Sequence, residues 1–296
     1  MRLWLIAAMA APALAGAAFA VLYLWPVDKP ERIEVLAGDP GRGAYLARMS
    51  GCIACHTNTE GGGKPLAGGV RLPTDFGTFY SPNLTTDPDH GIGNWNLQDF
   101  AAAVRQGISP EGEPYYPSFP YPFYGSFSDQ DIADLWAAFK TVPPVAEKSI
   151  PHDMLPPFNL RMGLKLWRGL FYVPETFDPD PARSDLWNRG KFIVEGPAHC
   201  GACHTPRNAA GARQAELALH GASELPDGGK SPPITSAALK RQGWTISSLQ
   251  YALKTGIMPD GDVFGGSMGE VVRDGTAFLS EEDREAIATF LLERDG

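Results

Sequence analysis

Apolar residues are set along this chain in two different ways. Residues 3–25 carry no charged side chain. As a helix rising about 1.5 Å per residue they would reach about 34 Å, enough to cross a bilayer. Arg2 precedes the run, Tyr23 and Trp25 stand at its far end where aromatics favour a membrane interface, and Pro26 ends it. Residues 1–32 are therefore expected to be a transmembrane anchor, with a signal segment cut near Ala18-Phe19-Ala20 as the alternative. Both readings send the rest of the chain out of the cytoplasm. Beyond residue 36 the apolar positions recur at helical spacing in short stretches broken by Gly and Pro. Asp39-Pro40 has the form of an N-cap followed by Pro at the first helical position. Asn96 and Thr245 are candidate caps for helices ending at Gly107 and Gly256, and Ser128 with Asp131 and Ser280 with Asp283 have capping-box spacing. Strand-like alternation is scarce, so an all-α fold is expected.

The pattern repeats. Arg42-Gly43 returns as Arg189-Gly190, Ser81-Pro82-Asn83-Leu84-Thr85 as Ser231-Pro232-Pro233-Ile234-Thr235, and Trp95 as Trp244. Gly107-Ile108, Pro110 and Gly112 match Gly256-Ile257, Pro259 and Gly261. In-register matches of this number predict two homologous domains, at 36–145 and 184–296. The proline-rich linker between them, 146–183, contains an amphipathic segment, 160–172. Its basic residues Arg161, Lys165 and Arg168 share one helical face, and Leu160, Leu164, Trp167 and Phe171 another. The segment is expected to pack between the domains, or else to dock on a membrane surface or partner.

Composition narrows the partners. A net charge of −9 argues against nucleic acid. The four cysteines fall as two pairs, each followed by histidine: Cys52-Ile53-Ala54-Cys55-His56 and Cys200-Gly201-Ala202-Cys203-His204. Cys-x-x-Cys-His is the attachment signature of c-type haem. Two thiols one helical turn apart can reach two vinyl groups of one porphyrin edge, and the adjacent histidine is then held under the iron. Zinc would need a fourth ligand in each domain, and a thioredoxin-like pair would need a βαβ setting. Two covalently bound haems are expected, on Cys52 and Cys55 with His56, and on Cys200 and Cys203 with His204.

The sixth iron ligand distinguishes the two repeats. Met268, within Gly265-Gly266-Ser267-Met268-Gly269, is the candidate for the second haem, read here as sitting in a Gly-rich loop. The repeat offset carries Met268 back to Phe119, or on a later offset to Tyr116. Neither is a usual cytochrome ligand, and the segment 115–124 holds no Met, His or Lys. The candidates for the first haem are His152, Met154 and His90, or an open face.

Several stretches resemble the multihaem cytochrome c subunits of bacterial membrane-bound dehydrogenases for alcohol, gluconate and aldehyde. They are Gly41 to Arg48, Gly62 to Gly69, Ser81 to Thr85, Gly91-Ile92-Gly93-Asn94-Trp95, Tyr116 to Tyr121, Trp187 to Gly190 and Cys203 to Asn208. The resemblance implies a tandem of class I cytochrome c domains. It also implies a relay of electrons from a dehydrogenase towards an oxidase, quinone or cytochrome acceptor, at the bacterial inner membrane with the soluble domains facing the periplasm. The sequence departs from that family in having two haem motifs rather than three, and in having Phe119 where a methionine is often found. The competing expectation is a dihaem enzyme or ligand sensor with an open first iron, acting on peroxide, a gas or a sulfur compound.

Overall fold

The computed structural model describes residues 32–225 and 228–294, with Gly16, Ala20, Val21 and Val27 as isolated positions before them. The first helix, α1 (Pro40–Met49), starts where Asp39 accepts hydrogen bonds from the Gly41 and Arg42 amides. A short helix α2 (Cys52–His56) follows. α3 (Leu97–Ala101) is capped by Asn96 in a reciprocal box with Asp99 and runs into a wider turn ending at Gly107. After α4 (Tyr121–Tyr124), α5 (Asp129–Phe139) starts from a Ser128–Asp131 box and crosses α1.

The crossing explains the Arg-Gly pair. A Cβ on Gly43 would lie 1.9 Å from the Asp134 carbonyl oxygen, so only glycine allows the helices this close. Arg42 binds the Asp134 carboxylate at 2.8 Å. The second repeat builds the same joint from α7 (Asp185–Glu195) and α12 (Glu281–Glu293). A Cβ on Gly190 would lie 2.0 Å from the Ala286 carbonyl oxygen, and Arg189 grips Asp283 at 2.7 Å. Between them come α8 (Gly201–His204), α9 (Ser236–Arg241), α10 (Ile246–Thr255) and α11 (Gly266–Asp274). Buried side chains of both repeats form one continuous cluster, including Leu46, Ile132, Leu135, Ile193, Ile287 and Phe290. Tyr45 crosses between the repeats to donate to Asp283 at 2.6 Å, and Arg48 lies 4.2 Å over the Phe278 ring.

Two expectations are corrected. The fold is not all-α, because it includes a three-stranded antiparallel sheet of β1 (Arg71–Thr74), β2 (Gly77–Tyr80) and β3 (Asp153–Met154). β1 and β2 turn through Asp75-Phe76, and the linker returns to add β3, pairing Thr78 with Asp153 and Gly77 with Met154. Strands of four and two residues are too short for alternation to register in the sequence. Nor does a transmembrane helix form part of the described fold. No helix among the described residues is long and apolar enough to cross a membrane. The run 3–25 lies outside those residues except at Gly16, Ala20 and Val21.

The linker helix α6 (Met162–Phe171) buries one residue from each of the two faces read from the sequence, Leu164 and Arg168. Arg168 is buried with Leu164, donating to the Gln106 carbonyl and lying 4.2 Å over the Tyr172 ring. Arg161 donates to the Pro114 carbonyl, and Trp167 donates to Ala210 of the second repeat. The helix thus packs between the repeats, with Leu160 before it and its own Leu166 and Leu170 facing outward.

Candidate functional site

Each Cys-x-x-Cys-His motif is a single helical turn between non-helical residues. Gly51, in the left-handed region at φ 71°, opens α2, and extended Thr57 closes it. Cys200 opens α8 and extended Thr205 closes it. The turn puts each cysteine pair on one side, with the histidine at the end. Cys52 and Cys200 pack against the buried cluster. None of the four forms a disulfide. Burial, then the neighbouring cysteine, pushes Cys52 and Cys200 up to about 12, so both stay protonated. Among the described residues no group of three or more His, Cys, Asp or Glu could hold a metal ion.

The histidines are held in one tautomer. His56 Nδ1 lies 2.9 Å from the Pro82 carbonyl oxygen and His204 Nδ1 lies 2.8 Å from that of Pro232. A carbonyl only accepts, so Nδ1 carries the proton and Nε2 keeps its lone pair. Burial lowers the affinity of both rings for a second proton, partly offset by those same hydrogen bonds. A neutral imidazole with its second nitrogen anchored is the state an iron ligand requires.

The recurring Ser-Pro segments are therefore the fixed supports of the two histidines. Ser81 Oγ accepts from Val70 N–H and Ser231 Oγ from Ala222 N–H. Thr57 and Thr205, each following a motif, accept from the amides of Leu66 and Leu219. Those two leucines have positive φ, 58° and 65°, and both are buried. The pair was not found from the sequence. Leucine gives no hint of a left-handed backbone, and only the comparison of the two folded repeats exposes it.

The two sites are neighbours. The Cys55 thiol is pushed up by burial and then by the charge that Cys203 would carry. α11 packs against α2. Tyr124 donates to the Ser50 carbonyl at 2.7 Å and sets its ring edge-on to His199, with centroids 6.0 Å apart. His199 directly precedes Cys200 and has φ 39°. It was missed in the sequence because it lies outside the motif it adjoins.

Met268 is partly buried against the common cluster. It sits in the first turn of α11 rather than in a loop, since Gly265 is extended and the helix begins at Gly266. Phe119 is also packed on that cluster, its ring 5.8 Å from that of Tyr124. His152 and Met154 are gathered at the sheet. His152 Nδ1 accepts from Tyr80 N–H at 3.2 Å, and its ring lies against Phe79 and Tyr116. Met154 packs in a second small cluster with Phe79, Tyr116 and Leu164. His90 is exposed in a turn held by Asp87.

The cytochrome c family model matches residues 41–139. The chain is 42% identical over 295 residues to a diheme cytochrome c-type protein of Cereibacter sphaeroides, covering 98% of each. It is 39% identical over 259 residues to the cytochrome c subunit of the quinone-dependent alcohol dehydrogenase of Gluconobacter oxydans, covering 84% of this chain and 53% of that subunit. Against the gluconate 2-dehydrogenase cytochrome c subunit of Pantoea cypripedii the identity is 38% over 261 residues, with 84% and 58% covered. The chain thus spans little more than half the length of these two dehydrogenase subunits.

Proposed function

The chain belongs to the cytochrome c family, and from that premise we propose that it carries two covalently bound haem c groups and relays electrons from a dehydrogenase towards a quinone, oxidase or cytochrome acceptor. Cys52 and Cys55 are assigned as thioether partners of the first haem, and Cys200 and Cys203 as those of the second. His56 and His204 are the proximal iron ligands, and Met268 the sixth ligand of the second iron. The two haem domains are 36–145 and 184–296. When bound, each haem supplies reversible one-electron chemistry at its iron.

The observation that carries this reading is the duplicated histidine lock, in which the Pro82 and Pro232 carbonyls hold the Nδ1 protons of His56 and His204, each directly after a cysteine pair. The chain orients each imidazole through that hydrogen bond and keeps it neutral by burial. The buried cluster excludes water from the inner side of each motif. Contact between α2 and α11, and the nearness of Cys55 to Cys203, support passage of electrons between the two sites within one chain. The named relatives support a dehydrogenase as donor. The uncharged run 3–25 has the character of an export segment and supports a working place on the periplasmic side of the bacterial inner membrane.

An anaerobic redox titration of the purified protein tests the relay. Two one-electron steps per chain in the visible spectrum are expected, and Met268→Ala should lower the potential of one of them, since a thioether ligand favours the reduced iron. A chain that takes up fewer than two electrons contradicts the proposal.

A further inference from the structure

The backbones of the two repeats keep one register up to four residues before Met268. Gly107 and Gly256 end their helices in the left-handed region. Ile108 pairs with Pro114, and Ile257 pairs with Val263. Ser109 N–H donates to Glu113 at 2.9 Å and Met258 N–H to Asp262 at 2.8 Å. Tyr115 N–H donates to Gly107 at 2.7 Å and Phe264 N–H to Gly256 at 2.8 Å. Every pair keeps one offset, and that offset carries Met268 to Phe119. Both side chains are partly buried on the same cluster.

Phenylalanine has no lone pair to give an iron. His152, Met154 and Tyr116 are engaged elsewhere. His152 Nδ1 accepts the Tyr80 amide proton, so its neutral ring carries its own proton on Nε2 and has no second lone pair to offer. Met154 is committed to β3 and to the packing around Tyr116 and Leu164. Tyr116 donates its hydroxyl to the Phe158 carbonyl at 2.8 Å. The rings packed on Phe119 are those of Tyr115, Tyr121 and Tyr124.

Resting on the two-haem reading above, we infer that the chain gives no sixth ligand to the iron held by His56, and that this iron is a binding site for a small neutral diatomic ligand such as carbon monoxide or nitric oxide. Phe119 and the rings around it form the apolar wall of that site. The rings in direct contact with Phe119 are all aromatic, and the nearest charge lying over them is Arg168, 5.1 Å over the Tyr121 ring, so the wall beside Phe119 suits a small neutral ligand.

The test uses the purified protein with its haems attached, reduced with dithionite and titrated with carbon monoxide. Haem content is measured in parallel as the pyridine haemochrome. Two haems and one bound carbon monoxide per chain are expected. Phe119→Met should weaken carbon monoxide binding at least about tenfold and turn the high-spin part of the oxidised spectrum low-spin. His152→Ala, Met154→Ala, His90→Ala and His199→Ala should each leave that spectrum unchanged, and a change in any of them overturns the inference by naming a ligand. The wild-type stoichiometry stands whether or not Phe119→Met folds. Two haems per chain with no carbon monoxide bound overturns the inference and leaves the relay intact, whereas fewer than two haems overturns both. Binding unaltered by Phe119→Met in a folded two-haem variant contradicts the assignment to the His56 iron.

Discussion

Single residues decide the two helix crossings. A methyl group on Gly190 would meet a backbone carbonyl that has no room to move, because Ala286 lies inside α12. Gly190→Ala should therefore cost about 3 kcal/mol through forced separation of α7 and α12. Thermal unfolding of the haem-loaded protein followed by circular dichroism checks this, and an unchanged midpoint would mean that the crossing is not tight. The Arg-Gly pairs were visible in the sequence only as a mark of repetition. Their purpose was not, because the partners Asp134 and Ala286 lie at the far end of the same repeat. The cysteine and histidine positions were legible because their chemistry is local. The carbonyls that hold the histidines were present in the sequence as a repeated Ser-Pro, with nothing to say that a carbonyl rather than a side chain does the work.

Elements of regular structure are held to the repeats by contacts that helical periodicity misjudges. In α6 the apolar residues Leu166 and Leu170 are 53% and 65% exposed, while Arg168 is 5% exposed. Periodicity treats arginine as a surface residue, but a guanidinium with a carbonyl acceptor and aromatic faces on which to stack can be buried. Arg168→Ala should destabilise the protein by about 2 kcal/mol, whereas Leu170→Lys should change it by less than about 0.5 kcal/mol. Paired thermal melts of the two variants test which side of α6 is buried, and the reverse ranking would contradict the burial of Arg168. The small sheet escaped notice for a related reason. β3 is two residues long and reaches β2 only after the chain has completed the first repeat. α3, α5, α10 and α12 were legible by contrast, since their capping residues Asn96, Ser128, Thr245 and Ser280 act within one turn.

At the scale of the whole molecule, Asp283 ties the repeats together. Burial would raise its pKa, but hydrogen bonds from Arg189 and Tyr45 outweigh that and hold the carboxyl below its ordinary range. A depressed folded value means that the stabilisation is present above the unfolded value of about 3.9 and is lost as pH falls through the folded one. Asp283→Asn should therefore destabilise by about 2 kcal/mol at pH 7, with the difference from wild type shrinking as the pH drops below about 4. Melting curves at neutral and acid pH report it, and a pH-independent difference would show that the carboxylate charge plays no part. Tyr45→Phe removes one hydrogen bond to the same carboxylate and should cost about 1.5 kcal/mol at pH 7. The central claim is that both motifs hold haem covalently in one chain. Intact mass spectrometry of the denatured holoprotein tests it most directly. Two haem masses added to the polypeptide, falling to one in the double variant Cys200→Ala with Cys203→Ala, is the result expected. A polypeptide carrying one haem or none, in cells that mature c-type cytochromes, would contradict it.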